Sequence, residues 1–406
     1  MANSRAHNNM AVSAPSSGKG RTAQYRPRTA TAAGRQEGLD YSLIFIVLFM
    51  LAFGLVMLYS ASSYEAAAEY GDSAYYLKRQ AIFIVIGLAA MVAVMYLPIR
   101  WWKKMSGLIY ALSITLLLLL IPFGTTANGA TRWIYIGPVS VQPAEISKLA
   151  VIVLTAAWIS RIPDDFLQSW KGFLLILAPS ILQAGLIYGI SSNLSSAIIV
   201  VLIAAAMLFV SYDKVRRFVV IGILGIAAIA LIVFLVANTD LLGSYQAERI
   251  RAWLDPTAYS DSTAMQTLQG LYGIGSGGIF GKGLGQSIQK LGYIPEAQND
   301  MIFSIICEEL GLFGAISIIV MFLMLGWRIL LVARNAGSLF QSFVVVGVLA
   351  HLMIQVMLNI AVVTNTMPNT GVTLPFFSYG GSAIFIMLVE MGLVLNVSRS
   401  TAARRG

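Results

Sequence analysis

From residue 41 to residue 397 the sequence returns repeatedly to apolar runs of about 20 residues, and this recurrence constrains the fold more than any other feature. A run of that length crosses the roughly 30 Å hydrocarbon core of a bilayer as a helix. Ten candidate spans are read, near 41–62, 80–97, 106–123, 146–160, 172–190, 195–211, 217–237, 301–327, 340–363 and 379–397. Charged residues make up 11% of the chain, against about 25% in a soluble protein, and hydrophobic residues 58%. Strand alternation is absent, so helices rather than a barrel are expected to satisfy the backbone. The expected fold class is an all-α polytopic membrane protein with ten transmembrane helices.

Basic residues orient the spans. With the N-terminus in the cytoplasm, 19 of the 27 Lys and Arg residues fall on the cytoplasmic side. Four of the remaining eight, Arg249, Arg251, Lys282 and Lys290, share one long loop, where the positive-inside rule has little force. Both termini are therefore expected in the cytoplasm, and residues 238–300 form a large extracytoplasmic loop between helices 7 and 8. A loop that long is functional or disordered more often than a plain connection. Its opening, YQAERIRAWL (245–254), has a helical pattern suited to an interface. The expected domains are a disordered basic tail at 1–38, a membrane domain at 39–398 and a short basic tail at 399–406. The first tail has no apolar core of its own, so it does not read as a cleaved signal peptide.

Several function classes lose support at once. The +9 formal charge sits at membrane edges rather than in one patch, which argues against nucleic acid as a partner. A single cysteine, Cys307, allows no internal disulfide, and the two histidines, His7 and His351, lie far apart in sequence. With no Cys/His cluster, no zinc or haem site is expected. GIGSGG (273–278) fits G-x-G-x-x-G, but no strand precedes it, so it reads as a tight, backbone-accessible loop.

The candidate chemistry lies where polar stretches meet apolar ones. In KLGYIPEAQNDMIF (290–303), Asp300 stands either as the N-cap of the eighth span or as a general base between water and lipid. Glu296 could take the same role from a looser position. Glu308 and Glu309 lie further into that span, where an acid is a functional suspect by default. In RWIYIGPVSVQPAEISKLA (132–150), Glu145 and Lys148 share a helix face, as a local ion pair or as part of an anion site with Arg132. SSNLSSAIIV (191–200) is a capped turn or the lining of a wet cavity. NTMPNTGVTLPFFSYGGSAIFI (365–386) is a hairpin loop, or non-helical backbone that membrane depth tolerates only inside protein or beside water.

WIYIGPVSVQPAEISKLA, GSGGIFGKGLGQSIQKLGYIPEAQNDMIFSIICEELG and GVTLPFFSYGGSAIFIMLVEMGLVLNV, in this order, resemble the SEDS family (shape, elongation, division and sporulation proteins) across residues 41–398. The likeness is stronger to the division branch than to the elongation branch, with the sporulation branch left open. The resemblance implies a peptidoglycan glycosyltransferase that polymerises lipid II into β-1,4 glycan at the outer face of the bacterial plasma membrane, at the division septum. It also implies a class B penicillin-binding protein and other divisome proteins as partners. Family motifs carry Asp300 as the essential aspartate, Glu145 and Lys148 as the acid and lysine after QP, and the polar segment Ser378 to Ser382 before the last helix. Two departures stand out: PDLGT of the family is SNLSS here, placing Asn193 where an aspartate is frequent, and EAHTD is EAQND.

The expected reaction has Asp300 taking the proton of an acceptor sugar hydroxyl while polyprenyl pyrophosphate leaves. Lys148, Arg132 and a Mg²⁺ or Mn²⁺ ion would offset the pyrophosphate charge, with Glu145, Glu296, Ser378 and Ser382 as further substrate-binding candidates. A lipid II flippase and a non-catalytic scaffold that recruits the transpeptidase are the competing readings. The outer clustering of the polar motifs argues against the first.

Overall fold

The computed structural model of the chain describes residues 39–127, 130–137, 139–212, 215–238, 245–258 and 264–402. The expected N-terminal tail, 1–38, and residues 403–406 lie outside the described residues. The chain runs α1 (Tyr41–Tyr70), α2 (Tyr75–Tyr96), α3 (Ile99–Leu118), α4 (Leu120–Phe123), β1 (Thr125–Ala127), β2 (Ala130–Ile136), β3 (Val139–Val141), α5 (Pro143–Ile159) and α6 (Asp164–Leu167). It continues through α7 (Trp170–Ser191), α8 (Leu194–Ser211), α9 (Val215–Asn238), α10 (Tyr245–Leu254), α11 (Met265–Ser276), α12 (Ile302–Arg334), α13 (Leu339–Val363) and α14 (Gly381–Ala402).

Among the described residues eight helical segments are long and apolar enough to cross a membrane: α1, α2, α3 with α4, α7, α8, α12, α13 and α14. The other two expected spans coincide with α9 and with α5, whose 17 residues rise about 26 Å. Local signals end the helices as physical chemistry requires. Asp40 caps α1 through the Leu43 N–H, Ser169 caps α7 through the Gly172 N–H, and Gly71 closes α1 in the left-handed conformation. Exposed Phe45, Val85, Phe313 and Trp327 form an apolar outer surface that only lipid or a partner helix covers favourably.

The helical class holds, with one small sheet added to it. Strands β1, β2 and β3 pair in that order as a three-stranded antiparallel sheet before α5. Ile134 pairs with Val141 and Tyr135 with Ser140. The stretch concentrates Thr, Trp, Ile, Tyr and Val, which suit a pleated surface, but β1 and β3 have three residues each and the seven of β2, ATRWIYI, do not alternate.

The long outer loop is partly ordered, and its helical opening falls on the expected residues, Tyr245–Leu254. It contains α10 and α11, and residues 277–290 pack down the side of α12 instead of staying above it. At Gly311, with φ 64° and ψ −161°, α12 breaks its own hydrogen-bond ladder. The loop fills the gap: Lys282 and Gly283 N–H donate to the Glu308 and Glu309 carbonyls, while Leu312 and Phe313 N–H donate to Gly278 and Ile279. Gly311 lies about 14 Å along the helix from Ile302. Non-helical backbone at that depth survives because protein groups satisfy it.

α13 lies against α5, α8, α12 and α14, and α14 runs along α2. Asn396 Nδ2 joins the latter pair by donating to the Val94, Met95 and Leu97 carbonyls at the C-terminal end of α2. Residues 364–380, between α13 and α14, are folded into this bundle, and Gly54 of α1 has no side chain where the Phe376 carbonyl presses against it.

Candidate functional site

Asp300 precedes α12, but it is not the helix cap. Met301 holds that position, and no side chain caps it. Asp300 is buried, with 8% of its surface left exposed. Gln266 of α11 donates from Nε2 to Asp300 Oδ1 at 3.1 Å and to the Pro295 carbonyl at 3.2 Å, and its Oε1 accepts from Asn369 Nδ2 at 2.9 Å. One α11 amide thus ties the carboxylate to the loop after α13. The Asp300 backbone is held as well. Asn359 Nδ2 donates to its carbonyl at 2.8 Å and to the Val372 carbonyl at 2.7 Å.

Lys148 and Glu145 form the ion pair that their spacing suggests, at 2.6 Å, one turn apart on α5. Lys148 is 2% exposed, so its ammonium is enclosed by protein rather than presented to an outer cavity. Its second partner is Gln355 Oε1 of α13, at 3.2 Å. Gln355 Nε2 in turn donates to the Thr373 carbonyl at 3.1 Å and to the Thr373 hydroxyl at 3.2 Å. Asp300 and Lys148, far apart in sequence, are therefore wired to adjacent carbonyls of one loop by two amides of α13. This is the junction the site is built on. Nothing in the sequence patterns above singled out Gln355 or Asn359. The available signal was an amide pair four residues apart in a largely apolar span, which shares one helix face.

The remaining candidates fall into place around this junction. Glu296 is exposed, in the left-handed region at φ 50°, and its carboxylate accepts from Asn299 Nδ2 at 2.8 Å. Ser378 Oγ accepts from the Leu374 N–H at 2.7 Å, and Ser382 Oγ accepts from Gln142 N–H and donates to the Ser140 carbonyl. Both hydroxyls thus pin backbone, Ser382 joining the start of α14 to β3 and α5. Tyr379 N–H donates to the Gln298 carbonyl at 2.8 Å, which seats the SYGGS segment beside Asp300. Arg132 is half-buried on β2. Asn193 acts as the N-cap of α8, accepting from Ser196 N–H at 3.1 Å, a role Asn fills as well as Asp. Ser195 Oγ donates to the Thr370 carbonyl at 2.6 Å, bringing the α7–α8 turn against the same loop.

Glu308 and Glu309 serve architecture. Glu308 pairs with Lys282 at 2.7 Å and accepts from Ser287 Oγ and the Ile288 and Gln289 N–H groups. Glu309 pairs with Lys290 at 2.8 Å and accepts from Ser60 Oγ at 2.6 Å. These bonds fasten the descending loop to α12. Within GIGSGG, whose first four residues end α11 instead of forming the expected loop, Gly277 serves the same packing: a side chain there would collide with the Cys307 carbonyl. Among the described residues no group of three or more His, Cys, Asp or Glu is placed to hold a metal ion.

The geometry has counterparts. The family described as cell cycle protein, FTSW_RODA_SPOVE, matches residues 41–403. Stage V sporulation protein E of Bacillus subtilis is 39% identical over 89% of this chain and 97% of its own length. A Saccharophagus degradans protein named "Probable peptidoglycan glycosyltransferase FtsW" is 35% identical over 89% of this chain and 92% of its own. Among solved structures, a chain from the work described as "Structural coordination of polymerization and crosslinking by a peptidoglycan synthase complex" superposes with a TM-score of 0.73 at 27% identity, covering 89% of this chain and 98% of that one. The rod shape determining protein RodA of Thermus thermophilus gives 0.65 at 26% identity, over 89% and 97%. On these matches, the chain belongs to the FtsW, RodA and SpoVE family of cell cycle proteins, a family of multi-pass membrane proteins with the SEDS fold.

Proposed function

We propose that this chain is a peptidoglycan glycosyltransferase that polymerises lipid II into β-1,4 glycan strands at the outer face of the bacterial plasma membrane. The observation that carries the reading is the fixing of one buried acid, Asp300, its carboxylate by Gln266 and its backbone carbonyl by Asn359, against a loop that a buried Lys148–Gln355 pair also grips. A base for a single displacement has to be held in one place, within reach of both membrane-anchored sugars and water.

In the proposed step, an Asp300 oxygen removes the proton from the 4-hydroxyl of the acceptor sugar. The acceptor hydroxyl oxygen so freed attacks the anomeric carbon of the donor, the bond from that carbon to the phosphate oxygen breaks, and its electron pair departs on polyprenyl pyrophosphate. Attack from the opposite face turns the α-linked donor into a β-1,4 bond, and no second carboxylate nucleophile is needed. Glu296, exposed and engaged with Asn299, suits the rim rather than the reacting atoms. Arg132, half-buried on β2, is assigned to the pyrophosphate. Enclosure makes Lys148 a positioning residue, acting through Gln355 on residues 371–373. No step here is routed through a metal ion. The partners assigned are a class B penicillin-binding protein and other divisome components, with both termini in the cytoplasm and the protein at the division septum.

The test is polymerisation of purified lipid II by wild-type protein and by Asp300→Asn, with and without the partner transpeptidase. The variant should fold and bind substrate but make no glycan. Strands at the wild-type rate from Asp300→Asn would remove the base and with it this reading.

A further inference from the structure

Two ionisable side chains take no part in the step above, yet both lie midway along membrane helices. His351 is the central residue of the 25 in α13, and Glu390 stands close to the middle of the 22 in α14. They face each other, with His351 Nδ1 2.9 and 2.8 Å from the two Glu390 carboxylate oxygens. Their exposures are 1% and 0%, so they line no transport path. Acids and histidines at this depth are functional suspects because lipid makes them costly.

The other face of the imidazole shows what the pair holds. His351 Nε2 lies 2.9 Å from Gln355 Oε1. The Gln355 amide cannot be flipped, because Lys148 Nζ, which only donates, meets one atom, and the Thr373 carbonyl, which only accepts, meets the other. Oε1 therefore faces both Lys148 and His351, and Nε2 of His351 must carry a hydrogen. The pair then holds one further proton, on Nδ1 or on the Glu390 carboxyl, and is neutral overall either way. Together with the Glu145–Lys148 pair it forms a buried chain without net charge, which removes the main objection to ionisable groups in lipid.

We propose that His351 and Glu390 are positioning residues for glycosyl transfer. Glu390 orients the imidazole, His351 and Lys148 together hold the oxygen of Gln355, and the Gln355 amide sets Thr373. Thr373 neighbours Val372, which Asn359 ties to Asp300. The inference rests on the reading of Asp300 as the base.

Two measurements test it. First, the chain has only two histidines, so the ¹⁵N spectrum of histidine-labelled protein in detergent or nanodiscs resolves His351 from His7. Nε2 of His351 should be protonated. A bare Nε2 with the hydrogen on Nδ1 would break the chain and overturn the proposal, and this measurement needs no variant to fold. Second, His351→Leu with Glu390→Leu removes the pair without stranding a charge. Its kcat on lipid II should fall by up to about a hundredfold, the scale set by a misplacement of about 1 Å from a change far from the chemistry, with KM much less affected. Gln355→Leu alone should cost at least as much as that double variant, and combining all three should cost no more than Gln355→Leu alone, because His351 and Glu390 act only through that amide; Glu390→Gln should recover most of the loss of Glu390→Leu. Multiplicative losses, or an unchanged kcat in the double variant, would refute it. Asp300→Asn separates the two readings: inactive Asp300→Asn with unaffected His351→Leu/Glu390→Leu sinks only this inference, whereas active Asp300→Asn sinks the base.

Discussion

Gln355 and Asn359 stand one turn apart on α13 and donate to neighbouring carbonyls, those of Thr373 and Val372. Through them a loop of residues 364–380 that has no regular structure of its own acquires a fixed position beside both Asp300 and Lys148. The consequences can be measured one residue at a time.

Asn359→Leu keeps the side-chain volume but leaves the buried Asp300 and Val372 carbonyls without their donor. Losing donors to buried carbonyls costs on the order of 1–3 kcal/mol each. We expect a lower thermal midpoint and a loss of glycan synthesis larger than that of Ser378→Ala, measured on the same purified preparations.

Lys148→Met strands Glu145 in a site where both side chains are almost fully enclosed. Breaking a buried pair from one side costs about 3–5 kcal/mol, whereas neutralising both sides costs far less. Lys148→Met alone should therefore be strongly destabilised, and Glu145→Gln with Lys148→Met should recover most of the stability. If the double variant also regains full turnover, the Lys148 charge has no part in the reaction.

Glu309→Gln removes the charge partner of Lys290 and weakens the anchor of the descending loop. Amide hydrogen exchange should rise across residues 281–291 and leave α13 unchanged. Equal protection in the variant and the wild type would assign the anchor to the backbone bonds at Gly311 instead.

Gly311→Ala places a side chain in the left-handed region and against the Ile279 carbonyl and Gly281 amide. Backbone strain of this kind costs about 1–3 kcal/mol, before any steric clash. The thermal midpoint should fall by more than for Gly107→Ala, where a Cβ meets open space.

Gln266→Leu removes the side-chain donor from Asp300 Oδ1 and releases Asn369. Turnover should drop while the fold is retained, because Gln266 is only partly buried. Wild-type kcat in this variant would show that the α11 contact is incidental to the site.

Much of this protein could be read in its linear order. Apolar length specified the spans, because a bilayer imposes a fixed thickness on any helix that crosses it. The acid at 300, the pair at 145 and 148, and the helix at 245–254 were all visible from residue type and spacing, which report local geometry. What the sequence could not disclose was which distant groups share a hydrogen bond. The descent of residues 277–290 along α12, the conversion of Glu308 and Glu309 from suspects into anchors, and the His351–Glu390 pair all join segments separated by 19 residues or more. A buried polar atom takes whichever partner the packing delivers, and only the tertiary structure decides that partner.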